Sequence, residues 1–242
     1  MPQSSVQRGR QTGMVMVESL LALPVIVLFA CLWVQIVWLF WAGQTLAVGS
    51  SYALRAGVLH QGERQAIERT LAAAMATIDP TTLANLDFDF SKAPKPADFQ
   101  KTHVIAAARQ QLHVKVAGRI AIRHATPAQF KKFGEQRRIH GEWRWVIPND
   151  HLDARAQTIE RSEQQDWLAA QQLEIEVWWC FPLQVPLAAQ VLAAWSEWQL
   201  SAAQQFCRTR TAMTDTPYWV LTHHIRGPML SDLVGPPVTD LF

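Results

Sequence analysis

Residues Ser19 to Ala42 read SLLALPVIVLFACLWVQIVWLFWA, a run of 24 positions without a charge in which only Ser19, Pro24 and Gln35 depart from apolar character. Wound as a helix rising ~1.5 Å per residue, the run spans roughly 36 Å, enough to cross a hydrocarbon core of ~30 Å. Cleaved secretory signals carry apolar regions of only about 7 to 15 residues, so the length predicts a retained membrane helix. Arg8 and Arg10 precede the run, and the first basic residue beyond it is Arg55. The positive-inside rule then keeps the amino end cytoplasmic and exports everything after about Gly43, which in a bacterium means the periplasm. In that oxidising compartment Cys180 and Cys207 have two outcomes open, a disulfide or a pair of buried thiols, while Cys31 lies inside the span.

The segment before the run is unusual. A basic polar leader ends in Gly13, and a carboxylate, Glu18, stands five residues later at the edge of the apolar stretch. Charge there is costly and needs a reason. One reason is that Glu18 reaches into the headgroups at the cytoplasmic face. The other is that cleavage between Gly13 and Met14 creates an α-amino group, which Glu18 compensates on a neighbouring helix when subunits pack at low dielectric.

These residues resemble the class III leader of type IV prepilins, which a prepilin peptidase cuts after a glycine and in which a glutamate follows at mature position five. The continuation is similar to the TadE-like pseudopilins, minor pilins of tight-adherence (Flp) pilus systems. Pro24 stands six residues after Glu18, and Gln44 to Leu46 precede an Ala/Gly-rich stretch running through Arg55 and Gly57. Farther on, IPNDHL (Ile147 to Leu152) and QQLEIEVWWCFPLQVPL (Gln171 to Leu187) are similar to members with long periplasmic parts, in which the IPND segment precedes a strand. The last predicted strand departs from that pattern, because Gly227 and Pro228 separate Arg226 from Met229. The resemblance implies a helix kink at Pro24, and as partners the prepilin peptidase, other pseudopilins, the major Flp pilin, an inner-membrane assembly platform and membrane lipid. It implies no cofactor, and a role in assembly and adhesion in place of catalysis.

The remainder reads as α+β. Gly49, Ala53 and Gly57 recur every four positions and so share one helical face on which another backbone can approach closely, either a filament neighbour or this chain's own sheet. The helical pattern continues to Ile78 and stops at Asp79-Pro80. Leu86 to Phe90 alternates as a strand does, with Asp87 and Asp89 on one face. Asp98 to Gln111 reads as a helix. LHVKVAGRIAIRH then reads as one long strand with a bulge at Gly118, followed by strands over EWRWVI and LEIEVWWCF, one helix over Leu187 to Phe206 and a closing strand over Tyr218 to Ile225. The expected organisation is a leader over 1–13, a transmembrane helix over 14–42, its periplasmic continuation over 43–78, an α+β domain with a mainly antiparallel sheet over 79–226, and an extended, mobile tail over 227–242.

Composition narrows function further. With 49% hydrophobic and 17% charged residues the chain is neither disordered nor a disulfide-dense scaffold, and 22 basic against 20 acidic side chains argue against nucleic acid. Lys131-Lys132 and Arg137-Arg138 come with no nucleic-acid motif and read as solvated loops. No GxSxG, HExxH, CxxC, Walker A or GxGxxG sequence is present, and His223 and His224, adjacent in a strand, point to opposite faces and do not share a metal. Eight tryptophans lie outside the run. Trp143, Trp145, Trp178 and Trp179 are divided between core packing and a subunit interface. A permanently anchored periplasmic binding or scaffold protein is the alternative reading, and a hydrolase using Asp87, Asp89 or a histidine the remote one.

Overall fold

The computed structural model describes residues 12–79, 96–123 and 125–237, and shows an α+β chain with one long apolar amino-terminal helix and two small antiparallel sheets. The predicted strand with Asp87 and Asp89 lies outside the described residues. Helix α1 runs from Thr12 to Leu59, 48 residues with Pro24 inside it. It is followed by α2 (Arg64–Met75), which ends in a 3-10 turn over Ala76–Ile78.

Helix α1 therefore does not continue to Ile78 as expected. It breaks at Gln61 and Gly62, whose φ angles of 58° and 79° reverse the chain, and glycine adopts such a conformation without steric cost. Ser231 seals the end: its hydroxyl donates to the Val58 carbonyl at 2.7 Å and accepts from the Gln61 N–H at 3.1 Å. The helical pattern does stop at Asp79, next to Pro80, as the sequence requires.

Helix α3 spans Pro96–Ala117 and packs against α2. This overturns the long strand through LHVKV. Val114 and Ala117 are buried with Ala106 while Val116 is exposed, a helical and not an alternating pattern, and Gly118 marks the helix-to-strand junction in place of a bulge. Strand β1 covers Gly118–Arg123. Helix α4 (Pro127–Phe133) starts on a capping box in which Thr126 and Gln129 satisfy each other's backbone N–H groups, with Pro127 in the first turn. A hairpin follows, β2 (Glu135–Ile139) and β3 (Glu142–Ile147), then two short helices, α5 (Leu152–Thr158) and α6 (Gln164–Ala170).

Strand β4 (Gln172–Pro182) buries Leu173, Ile175, Val177 and Trp179 and leaves Glu174, Glu176 and Trp178 half-buried on the other face, the parity that alternation predicts. The single helix expected over Leu187 to Phe206 is two, α7 (Ala188–Ser196) and α8 (Ala202–Thr214). Ser201 accepts from the Gln204 N–H and caps the second. Strand β5 covers Tyr218–Pro228 and β6 Leu233–Pro237.

The sheets have strand orders β1-β4-β5 and β2-β3-β6. The tail is thus a correction as well: residues 227–237 close β5 and add β6 antiparallel to β3, with Val146 opposite Val234. Pro237 sits opposite Arg144 on a strand at the sheet's edge, where a missing N–H is tolerated. The chain divides into two compact units, residues 1–41 with 181–219, and residues 42–180 with 220–242.

Candidate functional site

The first unit carries the apolar helix. From Ala22 to Leu59 α1 is long and apolar enough to cross a membrane. From Ala22 to Trp41 it is exposed over most of its circumference: Phe29 is 67% exposed, Trp33 70% and Phe40 68%. Gly13 and Met14 lie in the first turn of α1, where the leading N–H groups lack helical partners and fraying costs least. Glu18 follows one turn later on the same helix, and Pro24 removes the donor for the Leu20 carbonyl.

Gln35, in the middle of the apolar run, is completely buried, and its Oε1 accepts the Val185 N–H at 3.0 Å. Phe181 meets Trp38 edge to face, with ring centroids 5.3 Å apart. A stripe of α1 spaced at three or four residues, through Gln35 and Trp38, is thus covered by the segment that follows β4, while the rest of the circumference is bare.

In the second unit the small-residue stripe has an internal partner. Ala53 is fully buried, and Gly49 and Gly57 are buried beside it. A Cβ on Gly49 would lie 2.9 Å from that of Ala74, and one on Gly57 2.7 Å from Leu173 Cδ2 and 2.9 Å from Ile67 Cδ1. These positions pack against α2 and β4 of the same chain, so the stripe is no open surface for a filament neighbour.

The four singled-out tryptophans separate. Trp179 is 1% exposed and belongs to the core, which removes it from any interface; it packs on His113 with ring centroids 4.9 Å apart. Trp178 is half-buried beneath the Arg119 guanidinium and donates from its indole nitrogen to Glu176. Trp145 is half-buried, and Trp143 alone of the four is freely exposed. Cys180 and Cys207 are disulfide-bonded, and Cys31 is the free cysteine.

Sequence reasoning missed two features of the second unit. Arg137 reaches Asp232 at 2.8 Å, Glu135 at 3.1 Å and Asp150 at 3.4 Å, and Arg155 reaches Glu135 at 2.7 Å and Asp150 at 2.9 Å. The network ties the IPND segment, through Asp150 and the Asn149 N–H on Asp232, to β2 and to the loop before β6. Hydrogen bonding from Arg155 holds the Glu135 carboxyl below the usual range. The pair Arg137-Arg138 is therefore on a strand and structurally engaged at Arg137, and Lys132, on α4, pairs with Glu163 at 2.9 Å.

The second feature is His113. Burial pushes its imidazole below the ordinary histidine range, against the opposing hydrogen bond of 2.9 Å to the Cys180 carbonyl and the charge of Asp79. His224 is exposed and 2.8 Å from Glu174, whereas His223 is half-buried on the opposite face of β5.

Among the described residues no group of three or more His, Cys, Asp or Glu side chains is placed to hold a metal. An open cleft of about 420 Å³ is lined by His60, Glu63, His140, Glu142 and Arg144, with no Ser, Thr, Cys or Lys among its lining residues. No protein-family model, curated protein or solved structure matches the chain. The arrangement with most to say about function is the exposed apolar half of α1.

Proposed function

We propose that the protein is a minor pseudopilin of the TadE-like kind. It is inserted in the bacterial inner membrane by α1 with its amino end in the cytoplasm and its α+β body in the periplasm, cut by a prepilin peptidase between Gly13 and Met14, and used in assembly of a Flp-type pilus that supports adhesion and surface colonisation. The observation that carries this reading is the first half of α1, uncharged from Ser19 to Ala42 and bare around most of its circumference, a surface that only lipid or neighbouring apolar helices can cover. The disulfide at Cys180 and Cys207 supports an exported body, since such bonds persist in oxidising compartments. The leader with Gly13 and Glu18 supports processing.

A second reading, an uncleaved signal-anchored binding or scaffold protein, is favoured by one feature: α1 runs unbroken through the Gly13–Met14 bond, so cutting there requires the first turn to open. Mass spectrometry of the amino terminus, on protein from membranes with and without the peptidase and for Gly13→Ala, separates the two. A terminus at Met14 that requires both the peptidase and Gly13 is expected. An intact leader in every sample favours the anchor.

A further inference from the structure

Six of the eleven tryptophans, Trp33, Trp38, Trp41, Trp195, Trp198 and Trp219, fall in the unit built from 1–41 and 181–219. Three are on α1 near the end of the apolar run, and three follow the segment that covers it. Between Phe181 and Phe206 the sole charge is Glu197. Helix α7 buries Ala188, Leu192 and Ser196 on one face, and the flank beside that face stays apolar and exposed, with Val191 43% and Trp195 61% exposed, while Gln190 and Glu197 take the far side. The turn that follows presents Trp198 at 85% and Leu200 at 80%. An apolar flank that the chain leaves uncovered, continued by bare Trp and Leu side by side at the helix end, marks a contact surface.

The depth of this surface is fixed by its attachments to α1. Gln35 and Trp38, which hold Val185 and Phe181, lie seven and four residues before Ala42, or roughly 10 and 6 Å down the helix axis from the point where the apolar run gives way to Gly43, Gln44 and Thr45. A segment fastened there cannot stand clear of a bilayer that α1 crosses. That depth matches the ~5–10 Å to which interfacial helices sink, and tryptophan concentrates at that level. Leu187 aims the segment: with φ 63° and ψ −51°, and an Ala188 N–H to Pro186 carbonyl bond of 2.7 Å, it forms a strained γ-turn that starts α7 abruptly.

We infer that α7 and the turn through Leu200 form a second membrane contact, lying in the outer-leaflet interface beside α1 with Trp195, Trp198 and Leu200 among the lipids. This inference rests on the reading that α1 spans the membrane. It replaces the idea of a point anchor with a helix and an interfacial shelf.

Nitroxide labels at single cysteines test it in the full-length protein with Cys31→Ser, reconstituted in vesicles of phosphatidylethanolamine and phosphatidylglycerol. Labels go at Trp198→Cys, Leu200→Cys and Val191→Cys, with Phe29→Cys in the span and Gln157→Cys on α5 as references. All five positions are on exposed sites or α1, so folding is retained. The shelf positions are expected to relax with oxygen and to respond to an aqueous nickel chelate roughly fivefold to tenfold less than Gln157→Cys, as lipid-immersed interfacial groups do. If Phe29→Cys is lipid-shielded and the shelf positions behave like Gln157→Cys, the inference fails and the span stands. If Phe29→Cys is itself water-accessible, the anchor reading falls and takes the shelf with it. Shelf labels immobilised and shielded from both reagents overturn the inference in favour of a second copy of the chain on that surface.

Discussion

The two halves of α1 are one helix with two kinds of surface. From Ala22 to Trp41 the side chains are uncharged, mostly large and mostly bare, with Phe29, Trp33 and Phe40 each about two-thirds exposed. From Ala42 onward small residues alternate with polar ones, and Ala42, Leu46, Ala53 and Val58 are buried against the same chain. Apolar character alone does not distinguish them. What does is side-chain size: where glycine and alanine recur every four residues, a backbone of the same chain approaches, and where Phe, Trp and Leu dominate, the chain covers only the stripe through Gln35 and Trp38. The first half is therefore specified for a solvent, the second for a partner within the fold.

The largest expected effects break this comparison in opposite directions. Phe29→Asp should cost about 3 kcal/mol in membrane insertion while leaving the melting of the α+β body unchanged; carbonate extraction and thermal unfolding in detergent read the two separately. Gly57→Leu should do the reverse, keeping insertion but destabilising the body by about 3 kcal/mol, because Leu173 and Ile67 already crowd the position. If the two variants lose the same property, the halves are not distinct.

A smaller effect follows from His113. Its imidazole is harder to protonate in the folded chain than in the unfolded one, so its contribution to stability is complete above the ordinary histidine range and is lost as pH falls through that range toward the depressed folded value. Thermal unfolding followed from about pH 7.5 to about 5.5 should show a decline that His113→Gln flattens. His223, depressed by burial and by its neighbour His224, supplies what slope remains. The smallest effect sharpens the comparison at its boundary. A Cβ on Gly43 meets nothing within 4 Å, so Gly43→Ala should raise stability by under about 1 kcal/mol through helix propensity alone, and a loss on that substitution would show that close packing at the boundary extends around the helix to Gly43.

The sequence was most readable where one physical signal acted alone. Alternation in LEIEVWW gives both the strand and the buried parity of Trp179, and the uncharged run gives α1. It misled where two signals competed. In His113 to Val116 the β-branched valines alternate with polar residues, and the period-two reading lost to a helical stripe through Ala106, Val114 and Ala117 that α2 covers. The turn after Leu59 had a signal in Gln61-Gly62, and Ser201 had one as a cap, but neither outweighs a helical composition without the tertiary contacts. Prolines in Leu233–Pro237 argue against a central strand, and β6 is an edge strand. Of the candidate site, Gly13 and Glu18 are legible only through family resemblance. The hold of the 181–219 segment on Gln35 joins residues 150 positions apart, and no local pattern could announce it.

Strand β6 also sets a schedule. Gly235 leaves room for the Phe130 ring, since a Cβ there would sit 2.6 Å from it, and β6 completes the sheet along β3. Strand β3 precedes β6 by roughly 90 residues, and such distant pairing is slow to close. Until it closes, the β3 edge stands unpaired and Phe130 lacks its cover, a template for aggregation. The last described strand is therefore the latch of this sheet, and the interval before it docks is when the body is most open to association.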